Sequence, residues 1–268
     1  MKLAFMSSVC PRMSLPELLQ TARSFGYEGV ELRPEWKHGH GVELDASAEQ
    51  RRQTARIIAD GGVEVCCLSP GVRFCGESAA ERDAELDKLR RYVDLAAEVG
   101  IRRIRVFGDP LPAGTAGCRT ASYQAQAEYL ARAAGAAHQM GIALVLETHG
   151  NFRACDAAEV MFRAAWPAAL RVNWHLAHCL RHGEDVDEAY RHVKGRVAHV
   201  HFSLEEEKAD RATIMRQAEL LAADRYDGFF SVEVIHPPEW RDVLEKHAAA
   251  WRQMLGAIAP AASQRGGV

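Results

Sequence analysis

No run of about 20 consecutive apolar residues occurs in the chain, so no membrane-spanning helix is expected. The opening residues Met1-Lys2-Leu3-Ala4-Phe5-Met6 are too short an apolar stretch for a secretory signal, and polar Ser7 and Ser8 follow. Positive charge is not in excess. Lys and Arg total 33 against 36 Asp and Glu, a net charge of −3, which gives no reason to expect nucleic acid as a partner. The seven cysteines, Cys10, Cys66, Cys67, Cys75, Cys118, Cys155 and Cys179, are odd in number and include no C-x-x-C pair. They do not form a disulfide framework, and a reducing cytoplasm is the expected compartment. Neither a G-x-G-x-x-G after the first apolar run nor a Walker loop is present, which counts against dinucleotide and phosphate-loop sites.

What the chain does have is apolar material: 48% hydrophobic residues with 26% charged, enough for a large core. Short apolar runs alternate with longer amphipathic segments. Strands are expected at 3–6, 29–32, 63–68, 104–107, 142–146, 170–174, 197–202 and 229–235. Helices are expected at 15–25, 48–60, 79–99, 122–140, 156–165, 185–193, 211–223 and 238–258. Such alternation implies parallel strands joined by right-handed crossovers. Eight units in about 250 residues point to a closed (β/α)8 TIM barrel, one domain over 1–260 with a flexible tail over 261–268.

Barrel strands should be apolar, and barrel enzymes place their sites at the C-terminal strand ends, so polar residues there are informative. The fifth strand ends in Glu147-Thr148-His149. The sixth ends in Trp174-His175, with His178 three residues later. The seventh carries His199 and His201, and the eighth carries Glu233. Two carboxylates and two imidazoles, Glu147, His175, His201 and Glu233, make a shell for a divalent cation: Mn, Zn, Co, Fe or Mg. His199 and His201 share a strand face, and His201, nearer the end, is the ligand while His199 supports it. Arg105 lies within the fourth strand, either under a helix or in the mouth near an anionic substrate. His38 and His40 are expected in a solvated loop, Cys66 and Cys67 in the core, and Glu205-Glu206-Glu207 as a solvated charge cluster.

Taken in order, these residues resemble the xylose isomerase-like TIM barrel superfamily, in particular its sugar phosphate isomerase/epimerase group. The likeness rests on Gly26-Tyr27-Glu28-Gly29-Val30-Glu31-Leu32, Leu146-Glu147-Thr148-His149, Val197-Ala198-His199-Val200-His201 and Glu233, and it spans nearly the whole chain. Two departures stand out. Where the family has Asp in a W-D-x-x-H arrangement, this chain has Trp174-His175-Leu176-Ala177-His178. The family's Lys-Asp after the seventh-strand histidine is replaced by Phe202-Ser203.

The resemblance implies a metal-dependent isomerase or epimerase of a small polyhydroxylated carbonyl compound, working through an enediolate. Glu147 and Glu233 would be ligands and proton carriers. His178, His149, Trp174 and Arg105 would face a carbohydrate substrate, and a homo-oligomer is a family-level expectation. A lyase acting on a cyclitol or dehydroshikimate-type acid uses the same chemistry. A non-catalytic binding barrel is the rival from another class. Phosphodiester hydrolysis, as in the related endonuclease group, is disfavoured by the net charge and by the lack of a multi-zinc ligand set.

Overall fold

The computed structural model describes residues 1–264. Eight parallel strands close into a barrel in chain order: β1 (Lys2–Met6), β2 (Gly29–Leu32), β3 (Glu64–Leu68), β4 (Arg103–Phe107), β5 (Ala143–Glu147), β6 (Leu170–His175), β7 (Val197–Phe202) and β8 (Phe229–Val232). Pairing of β1 with β8, from Lys2↔Phe229 to Phe5↔Val232, makes the closure. Outside the strands lie α1 (Leu15–Phe25), α2 (Ala48–Asp60), α3 (Ala79–Val99), α4 (Ala116–Gln139), α5 (Ala154–Arg163), α6 (Leu176–Arg181), α7 (Val186–Val193), α8 (Arg211–Ala223) and α9 (Trp240–Gln264). Among the described residues no helix is long and apolar enough to cross a membrane.

Local sequence explains the helix ends. Ser14, Ser47 and Ser78 each form a capping box with the residue three positions on, Glu17, Gln50 and Glu81. Gly26 and Gly100 stop α1 and α3 with left-handed φ values of 77° and 84°. The largest differences from the expected pattern lie at the fourth and last helices, the eighth strand and one added helix. The fourth helix starts at Ala116, behind Thr115, rather than at 122. The eighth strand ends at Val232 rather than 235. A short helix, α6, leaves β6 directly, and its six residues are too few for periodicity to reveal. The expected tail over 261–268 meets α9, which runs to Gln264; residues 265–268 lie outside those described.

Strand alternation divides the core in two. Leu144, Leu146, Val172, Trp174, Val200 and Phe230 belong to the large apolar layer between strands and helices. The intervening residues face the barrel axis, where Ala4, Cys66, Cys67, Val145 and Phe229 form a small apolar cluster. Above it, toward the C-terminal strand ends, the interior turns polar with Glu31, Arg105, Glu147, His175, His199 and His201, all buried. Two register shifts, at Val30/Glu31 and Val172/Asn173, lie at this level. The second sets Asn173 beside His199 and His175 beside His201.

Gly29 sits where the barrel interior is tightest. A Cβ there would lie 2.5 Å from Phe229 Cε1 and 3.2 Å from the Ala4 Cβ. Gly29→Ala should therefore cost about 1–3 kcal/mol by overpacking. Denaturant unfolding checks this; an unchanged midpoint would mean that the Phe229 ring yields freely.

Candidate active site

Four side-chain atoms from β5, β6, β7 and the residue following β8 converge in the barrel mouth. His201 Nδ1 lies 2.7 Å from Glu147 Oε1 and 3.0 Å from Glu233 Oε2. His175 Nδ1 lies 3.5 Å and 3.3 Å from the same two oxygens. The four residues offer ligand atoms that all fall within 4.8 Å of one another. A cation bound at about 2.0–2.2 Å by four donors holds those donors about 3–3.5 Å apart, so the spacing already matches such a shell. His175 Nδ1 and Glu233 Oε2 are buried atoms without a hydrogen-bond partner, although they face each other. The donor set and its two unsatisfied atoms fit a divalent cation. Only Glu233, whose side chain is 16% exposed, opens the cluster toward solvent.

Carboxylates stand behind both imidazoles. Glu31, at the inner face of β2, accepts from Nε2 of His201 at 2.8 Å and from Nε2 of His199 at 2.8 Å, and Ser69 donates its hydroxyl to the same group. That bond commits the His201 Nε2 to a proton and turns Nδ1 toward Glu147 and Glu233. Burial alone would lower the His201 pKa. The carboxylates of Glu31, Glu147 and Glu233 outweigh it and lift it well above the ordinary 6.5. Burial likewise would raise Glu31, but His201 and His199 hold it well below the usual carboxylate range. The arrangement thus favours positive charge at the His201 Nδ1 face, as a proton or as a metal ion.

Behind His175 stands Glu206, whose Oε1 is 3.6 Å from Nε2 and which is paired with Arg181. The expected solvated cluster at 205–207 is therefore corrected for this residue: Glu206 folds in over the mouth, while Glu205 pairs with Lys246 at the surface. Arg105 is resolved as inward-facing. Its Nη1 donates to Glu147 Oε2 at 3.1 Å and its Nη2 to the Ser69 carbonyl at 3.1 Å, and the guanidinium lies against the Phe107 ring. Arg105 and His201 outweigh burial and hold Glu147 well below the usual range.

His178, carried by α6, and His149 line the rim. Their ring centroids are 4.4 Å apart, and His178 is 4.4 Å from His175. Burial, with His175 and His149 nearby, pulls the His178 pKa down to about 3, so this ring is neutral near pH 7. His149 donates from Nδ1 to Asp109 Oδ1 at 2.9 Å, which leaves its Nε2 free to accept. Trp174 does not join them. With His175 turned inward, its neighbour points outward, and Trp174 is fully buried against Tyr190 in the helix layer. His38 and His40 are also corrected: both are buried, His38 Nδ1 against Ser7 Oγ and His40 Nε2 against the Arg33 carbonyl. Glu31 and Glu206 are the functional candidates that the strand-end pattern overlooks. Glu31 had a signal, a carboxylate inside an apolar strand, whereas Glu206 is one of three consecutive glutamates and had none.

A family model described as xylose isomerase-like TIM barrel matches residues 19–254. The chain belongs to this family. L-ribulose-5-phosphate 3-epimerase UlaE of Salmonella paratyphi B is 34% identical over 96 residues, covering 34% of this chain and 34% of that protein. The match therefore spans about a third of that relative's length. Among solved structures, an L-ribulose 3-epimerase superposes with a TM-score of 0.74 at 20% identity, covering 99% of this chain and 96% of that one. The probable 3-DHS dehydratase AsbF of Bacillus anthracis superposes with a TM-score of 0.71 at 17% identity, covering 94% and 99%. At these identities the superpositions establish the xylose isomerase-like fold.

Arg105→Met should expose how much the site depends on its fixed cation. It leaves Glu147 Oε2 buried without its partner, and breaking a buried pair from one side costs about 3–5 kcal/mol. Equilibrium unfolding in urea measures it; a loss below about 1 kcal/mol would show that His201 alone satisfies Glu147.

Proposed function

We propose that this chain is a divalent metal-dependent isomerase or epimerase of a small sugar or related polyhydroxy carbonyl compound. The observation that carries the reading is the convergence of Glu147, His175, His201 and Glu233 on one point, with two of the four inward atoms buried and unsatisfied. These four residues would hold the cation. When bound it would supply Lewis acidity, polarising a substrate carbonyl and adjacent hydroxyl so that the intervening C–H becomes acidic.

The protein's own groups do the rest. Glu147 and Glu233 enter from different strands, so one carboxylate can take the proton and the other return one, by way of an enediolate. Glu147 is held by Arg105 on Oε2 and keeps Oε1 for the site. Glu233 is the less buried of the two and the freer to move with its proton. His178, neutral, has its Nδ1 beside Arg181 and can donate from Nε2 to a substrate hydroxyl. His149 can accept one at Nε2. The seven free thiols suit an enzyme of the cytoplasm, where this reading places it.

Exchange of substrate C–H for deuterium in D2O, over a panel of ketoses and ketose phosphates, tests the assignment. Exchange should require added divalent metal. Glu147→Gln and Glu233→Gln should each lower it by about 10²-fold or more. Activity of either variant within about threefold of the parent would defeat the assignment. Loss of water from the substrate, seen as a conjugated carbonyl in the ultraviolet, would redirect it to a dehydratase.

His175 tunes the metal. Two carboxylates and two neutral imidazoles carry a charge of −2, which balances a divalent cation, and imidazole is a softer donor than the aspartate it replaces. His175→Asp should lower the Zn²⁺/Mn²⁺ affinity ratio in competition titrations, whereas an unchanged ratio would mean that His175 is not a ligand.

A further inference from the structure

Arg33 follows β2 directly. Glu31 faces the barrel axis, so Arg33, two residues on, extends the same face one level higher, at the rim above the site. Its backbone is fixed on both sides: the Arg33 N–H donates to Ser7 Oγ at 2.9 Å, and its carbonyl faces His40 Nε2 at 3.1 Å. The guanidinium carbon lies over Trp36, 3.9 Å from the ring centroid. The contrast with Arg105 is sharp. Arg105 spends its donors on Glu147 and the Ser69 carbonyl, whereas the Arg33 side chain makes no ion pair or hydrogen bond among the described residues, and its Nε is buried without a partner. It lies in the field of Glu31, Glu147, Glu233 and Arg105 yet within ion-pair reach of none of the three carboxylates.

A charge count shows what is missing. Glu147 is matched by Arg105 and Glu206 by Arg181. Counted together, the four carboxylates Glu31, Glu147, Glu206 and Glu233 balance Arg105, Arg181 and a divalent cation. Arg33 stands outside that balance, a half-buried cation at the rim with no counterpart among the described residues, set over the Trp36 ring. A planar guanidinium with free donors is shaped for bidentate recognition of a carboxylate or phosphate.

We propose that Arg33, set over Trp36 at the rim, is an anion receptor that selects a polyhydroxy carbonyl substrate bearing a carboxylate or phosphate at the end away from the reacting carbon. The inference rests on the sugar-isomerase reading of the same site, and its test is a binding measurement that does not require turnover. Calorimetric titration with Mn²⁺ present compares L-ribulose, L-ribulose 5-phosphate and D-fructuronate. The parent chain should bind at least one of the two anions about tenfold or more tightly than L-ribulose, the phosphate or the uronate leading according to which group the receptor takes. Arg33→Gln should weaken that anion by about 10- to 100-fold, leave L-ribulose within about threefold, and unfold at an unchanged urea midpoint. Arg33→Lys should restore part of the preference, because the charge remains while the fork is lost. Equal binding of all three compounds by the parent, no binding of any, or an anion preference that survives in Arg33→Gln would each overturn the proposal. An Arg33-dependent anion preference in a chain that exchanges no substrate proton would instead defeat the isomerase reading and leave the receptor standing.

Discussion

The contact of His201 with three carboxylates is the constraint on which the mouth of this barrel depends. The imidazole is fully buried, touches Glu31 through Nε2, and touches Glu147 and Glu233 through Nδ1. Burying three carboxylates around a neutral ring would be prohibitive, since each ion loses its hydration. The cluster persists only because positive charge is built in from several directions: Arg105 on Glu147, the raised proton affinity of His201, and a donor spacing that suits a divalent cation. Each carboxylate in turn fixes an imidazole tautomer or a ligand position. The site is better described as one coupled electrostatic unit than as four separate ligands.

Much of this was legible in the sequence, for a physical reason. A barrel strand is apolar except where it must do something else, so Glu147, His175, His201 and Glu233 stood out at the ends of the last four strands. The helix boundaries were legible at Ser14, Ser47 and Ser78 because capping is local chemistry. What escaped is equally instructive. The resemblance sets Trp174 against the substrate, but the two-residue period that turns His175 inward sends Trp174 the other way. Glu31 was visible within a quoted motif, yet its role needs a partner 170 residues away on the opposite side of the barrel. Glu206, His38 and His40 lie in loops, which are usually solvated, and only tertiary packing shows them folded inward.

The departure from the family pattern at β6 also gains a structural setting. The histidine there turns Nδ1 toward Glu147 and Glu233, and Glu206 occupies the space behind its second nitrogen. Glu206 lies in the loop that follows β7.

The apolar cluster of Ala4, Cys66, Cys67, Val145 and Phe229 beneath the polar layer has a kinetic consequence. It closes the N-terminal end of the barrel, with Lys2 and Arg103 laid over the Phe229 ring below it. The polar layer above it is therefore closed off on that side. On the proposed reading, substrate, product and any proton exchanged with solvent would all pass through the C-terminal end of the barrel. Were a proton lifted from a bound substrate there, as the proposed chemistry requires, it would meet few competitors while the substrate fills the open end, so isotopic memory within a single turnover would report how well the floor is sealed.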